Sequence, residues 1–597
     1  MQLSRMEPRP IESEPVDHRS SNRASSRWYA LGSLVLVASI YVATLSQLPK
    51  DGFWIVDNGC KFIQMQSIIR SDYADYSIDW PGAKIDPEYK YSPLISRFGH
   101  VIDGKLYGTF APFFPLISTF PYRAWGMAGL YVIPLAGGLL TLAAVWKLAS
   151  ILAGGQRGLR FSPALAIVLA GLATPIWFYS VEFWEHTPGT GLACWALVFF
   201  ALHLRDSRTL WAALSGLSCA ASIYFRDDLY VLAAVMGVGM VIAEPRKWRR
   251  GVLFGFVAAI ALVPLWWFQW KVLGNPIGHH FAPTDSETVA SGGFLMNRWL
   301  VVRHLFLDVG ESLSWSILFT VPVLVLWLRK LVKRSDGAES TDASSFPLWG
   351  AFGIVGGSIV LYFQMKAASP PIWLLSSNSL FAASPFLVLA FVGARNVRAS
   401  NGAPSSADHM IRVVLRMLLA YALIYAFLSP EVHANGVHWG CRYLLTLYPI
   451  LAVIAAHNVF GWWKGKVGTG AIGVAVVGLL VVLSIVAQLH AVRLMGAMKE
   501  FRVRFNETIS REAEDVIIAD SWWIPMEASR CFDSQMIFLD RSPGEHAELR
   551  RRLYRKGIRK VTILRSPPRA DAIERGHIVV HDSLGMFAAE LETVRLP

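Results

Sequence analysis

The sequence WYALGSLVLVASIYVATLSQL at residues 28–48 leads almost directly into the polar stretch DGFWIVDNGCKF at residues 51–62. An apolar run of this length is enough to cross the hydrocarbon core of a membrane as one helix. A long, mostly polar segment follows before the next apolar run. Ionisable residues beside a membrane span are costly unless they are used, so this loop is the first place where we expect chemistry at a membrane face.

The composition of the whole chain indicates a membrane protein. Of the 597 residues, 54% are hydrophobic and only 17% are charged, and the mean hydropathy is +0.40. These values exclude a soluble protein of several domains. Apolar runs of roughly 17–25 residues predict helices, whereas the strands of a membrane barrel would be alternating segments of about ten residues. The predicted fold class is an α-helical polytopic membrane protein.

About thirteen apolar runs can be placed as membrane-spanning helices. They lie at residues 28–48, 127–153, 161–180, 187–203, 209–225, 228–243, 251–272, 312–328, 347–364, 379–394, 412–428, 443–460 and 469–489. An odd number of spans places the two ends of the chain on opposite sides of the membrane. The segment 111–125 is also apolar, but Pro112, Pro115 and Pro121 interrupt it, so we predict a broken helix at the outer surface rather than a span.

Basic residues at the span ends predict the orientation, because short cytoplasmic loops hold the excess of Lys and Arg. With the N-terminus inside, the cytoplasmic loops contain Arg157, Arg160, Arg205, Arg208, Arg246, Lys247, Arg249, Arg250, Arg329, Lys330, Lys333, Arg334, Arg395, Arg398, Arg412, Arg416, Lys464 and Lys466. The formal net charge of +13 therefore lies at span ends and does not indicate a nucleic-acid partner. We predict a multi-pass protein of the cytoplasmic (inner) membrane. The run 28–48 lacks a clear cleavage site and is expected to stay as the first span.

The composition changes after residue 490. Short β-rich runs at 515–519, 535–539, 560–564 and 577–581 alternate with a charged helix at 544–557, in which Arg550, Arg551, Arg552 and Arg555 are expected to face solvent. The predicted domains are a cytoplasmic tail (1–27), a transmembrane domain (28–490) with a first outer loop (49–126), and a small extracytoplasmic α/β domain (491–597). The five cysteines show no metal-like or disulfide pairing.

The predicted outer loops present ionisable groups at the ends of spans. These are Asp51, Asp57, Lys61, Lys84, Lys90, Glu182, Glu185, His186, Arg226, Asp227, Asp228, His279, His280, His433, His438 and Arg442. Any one of them has an ordinary structural reading: Glu185 and His186 can cap the following span, and Arg226 with Asp227 can be a structural ion pair. His279 and His280 are a weak metal signal without a third spaced ligand. The hypothesis of a reactive site therefore depends on the whole set lying on one face.

Two chemistries suit such a face. In transfer from a lipid-anchored, phosphate-linked donor, a carboxylate takes the proton of an acceptor hydroxyl while basic side chains hold the departing phosphate. A proton-coupled transporter instead places acids at mid-membrane on broken spans, and the acids here lie at span ends. The alternatives are a flippase or transporter of a lipid-linked glycan, a scaffold whose outer domain binds a cell-wall partner, and an O-antigen ligase or oligosaccharyl transferase.

The layout resembles the GT-C superfamily of membrane glycosyltransferases, in particular the family 39-like branch of protein O-mannosyltransferases and lipid A aminoarabinose transferases. The motifs that carry the resemblance are VDNG at 56–59 with Lys61 and Phe62, GTFAPFFPL at 108–116, the acidic loop 179–186 and WGCRYL at 439–444. In layout it covers residues 28–490. This chain has Asp57-Asn58 where many relatives have two adjacent acids.

The resemblance implies transfer of a hexosyl or pentosyl group from a polyprenyl-phosphate donor to a lipid, glycan or protein acceptor. Asp57 would be the general base, and Glu185 or His186 would orient the acceptor or share the proton. Lys61, Arg226 and Arg442 would bind the donor phosphate. The expected contacts to acceptor or sugar are Glu182, Trp184, His438 and Trp439, although outer-loop tryptophans more often anchor the membrane interface. No metal ligand is assigned, and a divalent cation stays compatible with the sequence.

Overall fold

The computed structural model describes residues 18–94, 98–154, 159, 161–278, 293–306, 379–391, 406–429, 438–464, 471–540, 543–583 and 587–596. The predicted spans 312–328 and 347–364 lie outside these residues. Within them the chain forms a bundle of apolar helices followed by a C-terminal mixed sheet.

Helices make up most of the described chain. They are α1 (His18–Gln47), α2 (Val56–Arg70), α3 (Phe113–Trp125), α4 (Val132–Ala153), α5 (Ser162–Leu172), α6 (Ile176–Ser180), α7 (His186–Asp206), α8 (Thr209–Ile223), α9 (Tyr230–Ala243), α10 (Trp248–Leu273), α11 (Phe294–Phe306), α12 (Leu380–Ala383), α13 (Ser406–Leu428), α14 (Leu447–Lys464), α15 (Ala471–Glu512), α16 (Ile524–Glu527) and α17 (Pro543–Arg555). Six stretches are long and apolar enough to cross a membrane: Ser26–Gln47, Phe113–Ala153, His186–Asp206, Pro245–Leu273, Ala407–Leu428 and Gly473–Glu512. The protein is a multi-pass helical membrane protein, as predicted, although the count of about thirteen spans is not confirmed.

Prolines divide two of the predicted spans. The predicted span 161–180 consists of α5 and α6, and α6 begins directly after Pro175. In the predicted span 379–394, α12 gives way to the 3-10 turn Pro385–Ala390. Proline has no N–H to donate to the preceding turn, so an apolar run that contains it does not continue as one regular helix.

Two other helices are more continuous than the sequence predicted. Most of the segment 111–125 forms one helix, α3, which contains Pro115 and Pro121 and is followed by Gly126, where φ is 58°. The last predicted span, 469–489, is only the first half of α15, which runs on to Glu512 as 42 residues of helix. The bundle and the C-terminal sheet are therefore joined by an unbroken helix.

The centre of the bundle depends on a close approach of α4 and α7. A Cβ at Gly137 would lie 2.3 Å from the backbone N of Pro188, and a Cβ at Gly191 would lie 2.9 Å from the carbonyl oxygen of Gly137. Small residues at helix contacts are the usual way in which membrane helices come this close. This contact holds the first turn of α7, which contains His186, against the rest of the bundle.

The C-terminal part contains a five-stranded sheet in the order β4-β3-β5-β7-β6. Its strands are β3 (Val516–Ala519), β4 (Met536–Leu539), β5 (Lys560–Arg565), β6 (Ile578–His581) and β7 (Ala588–Arg595). A small hairpin of β1 (Gly99–Ile102) and β2 (Lys105–Gly108) precedes them in the segment 49–126. β3 is parallel to β4 and β5, and β7 is antiparallel to β5 and β6. The predicted small α/β domain is confirmed. Strand β7 was not predicted from the sequence.

The α/β domain is docked on the segment 49–126. Trp80 donates from Nε1 to the carbonyl oxygen of Ile537 at 3.0 Å, and the N–H of Leu539 donates to the carbonyl oxygen of Tyr91 at 2.9 Å. Arg552 was expected to face solvent, but its guanidinium lies 3.4 Å from the fully buried carboxylate of Asp86. Part of the charged face of α17 therefore contacts the loop instead of water.

Candidate active site

Asp57 lies in the first turn of α2, where the helix dipole favours a carboxylate. The neighbouring Asn58 is fully buried and has a structural role. Its Oδ1 accepts from the N–H of Ile55 at 3.1 Å, closing the start of the helix, and its Nδ2 donates to the carbonyl oxygen of Phe183 at 2.7 Å. Asn58 therefore ties α2 to the loop before α7 and leaves Asp57 as the one carboxylate in this turn of α2.

Arg442 faces Asp57 across the site. Its Nη1 lies 3.0 Å from Oδ2 of Asp57, with 9% and 14% of the two side chains exposed. Its Nη2 donates to the hydroxyl of Tyr443 at 2.8 Å. The turn that carries Arg442 depends on Gly440, which has φ 65° and where a Cβ would lie 2.5 Å from Cγ of Pro175. The glycine of the WGCRYL motif thus lets the guanidinium approach α2.

Lys61 and Glu185 form a second ion pair beside the first. Lys61 lies one turn after Asp57 on α2, and its Nζ is 2.9 Å from Oε2 of Glu185, with 1% and 12% of the side chains exposed. The ammonium also lies 4.1 Å from the ring centroid of Phe110. Glu185 directly precedes α7, so the pair joins α2 to the start of that helix.

His186 is held by aromatic rings and has free polar atoms. Its ring stacks on Tyr179 at 4.7 Å with an interplanar angle of 5°, and lies 4.5 Å from the ring of Trp184. Nδ1 of His186 is 3.7 Å from Oε1 of Glu185. Within the described residues, neither ring nitrogen of His186 nor Nε1 of Trp184 has a hydrogen-bond partner. Buried polar atoms of this kind usually bind water or a ligand.

Arg226 and Asp228 form a third buried pair, with 2.8 Å between Nε and Oδ1. Burial opposes the charge of Arg226, but the carboxylate of Asp228 outweighs it and raises the pKa of the guanidinium. A Cβ at Gly189 in α7 would lie 3.2 Å from Cγ of Arg226. Arg226 therefore lies beside the first turn of α7, close to Glu185 and His186.

The remaining predicted contacts lie in the packing around these pairs. Glu182 is fully buried and pairs with Lys499 at 2.8 Å. Trp439 is 3% exposed, donates from Nε1 to Gln488 at 3.0 Å, and accepts the hydroxyl of Tyr179 on its carbonyl oxygen at 2.9 Å. His438 is also buried. These residues pack around the ion pairs and support them.

The structure separates other polar residues from this cluster. Asp51 lies 3.9 Å from Arg530, and Lys90 pairs with Glu548 of the α/β domain at 2.6 Å. His279, His280 and His433 lie outside the described residues. Lys499 was not singled out from the sequence, where the available signal was a lysine between the apolar residues Met498 and Phe501.

The described donor set does not fit a divalent cation. Within the described residues, no group of three or more His, Cys, Asp and Glu side chains is placed to hold a metal ion. The carboxylates of Asp57, Glu185 and Asp228 are each paired with a cationic side chain. The geometry instead provides three carboxylates and three cations that converge on one end of the bundle.

No family model and no curated protein matches the sequence. Solved structures with a similar fold include ArnT from Cupriavidus metallidurans in the apo state (TM-score 0.42, 15% identity, 94% of this chain and 98% of that chain covered) and the same protein bound to undecaprenyl phosphate (TM-score 0.41, 14% identity, the same coverage). Another is the archaeal oligosaccharyltransferase AglB from Archaeoglobus fulgidus, in complex with an inhibitory peptide and a dolichol-phosphate (TM-score 0.42, 12% identity, 90% of this chain and 69% of that chain). ArnT and AglB are GT-C membrane glycosyltransferases, the superfamily that the sequence resembles. Because the TM-scores are below 0.5, we take neither a residue role nor a substrate from these proteins.

Proposed function

We propose that the protein transfers a sugar from a polyprenyl-phosphate donor to a hydroxyl group of a lipid, glycan or protein at the outer face of the cytoplasmic membrane. The observation that supports this most directly is the pair of Asp57 and Arg442. Two side chains 385 residues apart meet at 3.0 Å in a nearly buried position. A carboxylate beside a guanidinium combines a proton acceptor with a phosphate-binding group, as transfer from a phosphate-linked donor requires.

The donor phosphate is assigned to Arg442, Lys61 and Arg226. Each of these cations is now neutralised by one carboxylate. A phosphate that enters the site offers more negative charge and more acceptor oxygens than a carboxylate, and the planar guanidinium of Arg442 can bind two of its oxygens at once. Donor binding would therefore draw Arg442 away from Asp57.

The movement of Arg442 from Asp57 to the phosphate frees the Asp57 carboxylate to act as the general base. The Oδ2 atom of Asp57 accepts from Arg442 before the donor binds, so it is less available to a hydroxyl proton. Once Arg442 binds the phosphate, Asp57 accepts the proton of the acceptor hydroxyl while the acceptor oxygen attacks the anomeric carbon. The bond from that carbon to the phosphate oxygen breaks, and polyprenyl phosphate leaves while the basic side chains hold its negative charge. A single displacement of this kind inverts the anomeric carbon.

Acceptor positioning is assigned to Glu185, His186 and Trp184. The ring nitrogens of His186 and Nε1 of Trp184, which have no hydrogen-bond partner among the described residues, are buried next to the ion pairs, so they can hydrogen-bond a hydroxyl that enters beside Asp57. Glu182, His438 and Trp439, which the sequence suggested as sugar contacts, are assigned to the supporting layer because of their burial and packing contacts.

The test is Asp57→Asn in purified protein reconstituted in liposomes, with a panel of undecaprenyl-phosphate hexoses and pentoses as donors. General-base catalysis contributes about 10²–10⁴-fold, so we expect transfer to fall about 1,000-fold. Donor binding should persist because the amide leaves Arg442 in place. Asp51→Asn is the matched control: Asp51 lies in the same loop, is half exposed and faces Arg530 at 3.9 Å instead of a cation of the site, and the variant should keep parental activity. Full transfer by Asp57→Asn would refute the base assignment.

A further inference from the structure

Lys499 is the point at which the unbroken helix α15 meets the candidate active site. Its Nζ lies 2.8 Å from Oε2 of Glu182, and neither side chain is exposed. The same ammonium donates to the hydroxyl of Tyr131 at 2.8 Å and lies 4.3 Å from the centroid of that ring. A fully buried lysine is costly unless it is paired. The ion pair with Glu182 therefore calls for an explanation beyond the stability of the fold.

Glu182 connects Lys499 to both loops that carry the site. Its Oε1 accepts from the N–H of Trp54, just before α2, at 3.2 Å. The next residue, Phe183, accepts from Asn58 of α2 at 2.7 Å. One carboxylate therefore joins α15, the entry to α2 and the loop before α7. Asp57 lies directly after the entry to α2, and Glu185 and His186 lie where the loop before α7 meets that helix.

The contact between α15 and the first loop leaves no free space. A Cβ at Gly52 would lie 2.2 Å from the carbonyl oxygen of Lys499. The residues that lead into α2 therefore rest directly on the backbone of α15. A movement of this helix must move the entry to α2 with it.

The α/β domain holds the same stretch of α15. Arg502 forms two hydrogen bonds to Glu527 of α16, at 2.5 and 2.7 Å. α16 also rests on α2, since a Cβ at Gly59 would lie 2.0 Å from the carbonyl oxygen of Met526. The domain thus contacts both α15 and α2 within a few residues of Lys499 and Asp57.

We propose that Lys499 is a positioning residue, and that the docked α/β domain sets the distance of Asp57 from Glu185 and His186 through the pair of Lys499 and Glu182. The proposal rests on the proposed glycosyl transfer. Removal of the ammonium leaves the Glu182 carboxylate buried without its cation, and the loop must rearrange to hydrate or neutralise it. Displacements of about 1 Å at a reacting centre can reduce rates about 100-fold.

Lys499→Met is the first variant, measured in liposomes with the donor panel. We expect kcat to fall about 100-fold, while binding of undecaprenyl phosphate changes little, because Arg442 and Arg226 pair with Asp57 and Asp228. The double variant Lys499→Met with Glu182→Gln removes both charges and keeps an oxygen for the N–H of Trp54. Paired removal of a buried ion pair is often close to neutral, so kcat should recover to within about fivefold of the parent.

Glu590→Gln is the matched control. Glu590 is a fully buried carboxylate in β7 of the same domain, paired with Arg569 at 2.6 Å, and it contacts neither loop in the described structure. If only the stability of the domain mattered, this variant would lose activity as Lys499→Met does. We expect parental kcat from the folded Glu590→Gln protein.

Hydrogen–deuterium exchange supplies a readout that does not depend on catalysis. In Lys499→Met, the amides of residues 53–58 and 181–186 should exchange faster than in the parent, whereas Glu590→Gln should leave them unchanged. Parental kcat and parental exchange in Lys499→Met would overturn the proposal, and so would a double variant as impaired as the single one. If Lys499→Met does not fold, Glu182→Gln is compared with the double variant, and the same recovery is required.

The outcomes also separate this proposal from the proposed function. If Asp57→Asn loses transfer and Lys499→Met keeps both kcat and loop exchange, only the positioning role fails. If Asp57→Asn transfers normally, the base assignment fails, while faster exchange of the two loops in Lys499→Met still supports the positioning contact.

Discussion

The helix α7 has a histidine next to a glutamate at each of its ends, and the two ends are built differently. At its first end, Nδ1 of His186 lies 3.7 Å from Oε1 of Glu185. At its last end, Nε2 of His203 lies 3.0 Å from Oε2 of Glu244. The two pairs consist of the same residue types, so sequence composition alone does not distinguish them. They differ in the residues that surround them.

At the last end, one carboxylate pairs with several cations that come from a short stretch of sequence. Glu244 contacts Lys247 at 2.7 Å and Arg250 at 3.5 Å, and 19% of its side chain is exposed. A charge cluster of local origin that reaches solvent is the normal cap of a helix pair at a membrane surface, where basic residues are frequent.

At the first end, each carboxylate has its own cation, and the pairs bring separate segments together. Asp57 pairs with Arg442 across 385 residues and Glu185 with Lys61 across 124, while Asp228 and Arg226 are two residues apart. Buried ion pairs rarely stabilise a fold more than apolar packing would. The comparison indicates that burial together with convergence of remote segments, rather than charge itself, marks the end of α7 where chemistry is expected.

Among the variants that test this difference between the two ends of α7, Arg442→Ala is expected to have the largest effect. Removal of one partner from a buried charge pair costs about 2–5 kcal/mol in binding, so the Kd for undecaprenyl phosphate should rise at least about 30-fold, since 1.4 kcal/mol is a factor of ten. Calorimetric titration of the lipid into detergent-solubilised protein measures it. Asp57→Asn should bind the donor better than Arg442→Ala does. Equal donor affinity in the two variants would remove Arg442 from the phosphate site.

Arg250→Ala is the control at the other end of the helix. Its guanidinium lies 3.5 Å from Glu244 and is partly exposed, so its loss should leave donor affinity unchanged. A fall in donor affinity as large as that of Arg442→Ala would show that the two ends are not functionally distinct, and the comparison would fail.

A smaller effect is expected from His186→Phe. Phenylalanine keeps the stacking on Tyr179 but supplies no ring nitrogen. Loss of one hydrogen bond to the acceptor costs about 1 kcal/mol, or about 1.5–3 kcal/mol if a charged group is involved, so kcat/KM for the acceptor should fall about 5- to 160-fold. Donor affinity should not change. Initial rates over a range of acceptor concentrations measure the effect, and parental kcat/KM would show that His186 only fills space.

Much of the fold could be predicted from the sequence because long apolar runs leave few alternatives. The predicted spans 187–203, 209–225 and 251–272 agree with α7, α8 and α10 to within a few residues. The differences have local causes. Pro175 breaks one apolar run, and α15 extends beyond its apolar half because Lys499 and Arg502 find buried partners.

The candidate site could be predicted only as a set of residues on one face. Topology placed Asp57, Glu185 and Arg442 on the same side, and the structure brings their loops together. Which cation faces which carboxylate depends on side-chain packing between segments that are far apart in sequence. The role of Asn58 was also hidden, because its partner, the carbonyl oxygen of Phe183, is a backbone group that no motif can show. The catalytic roles remain predictions.

The smallest expected effect is that of Glu244→Gln, which changes the carboxylate at the last end of α7. The amide can still accept from Lys247, and the cations around it are partly exposed, so we expect a loss in the free energy of unfolding of about 1 kcal/mol or less. Thermal unfolding in detergent measures this, and the loss should shrink at high salt because exposed charges are screened. Transfer by the folded variant should equal that of the parent. A large loss of transfer without a change in thermal stability would place chemistry at both ends of α7, because the structural role of Glu244 would then fail to explain the variant.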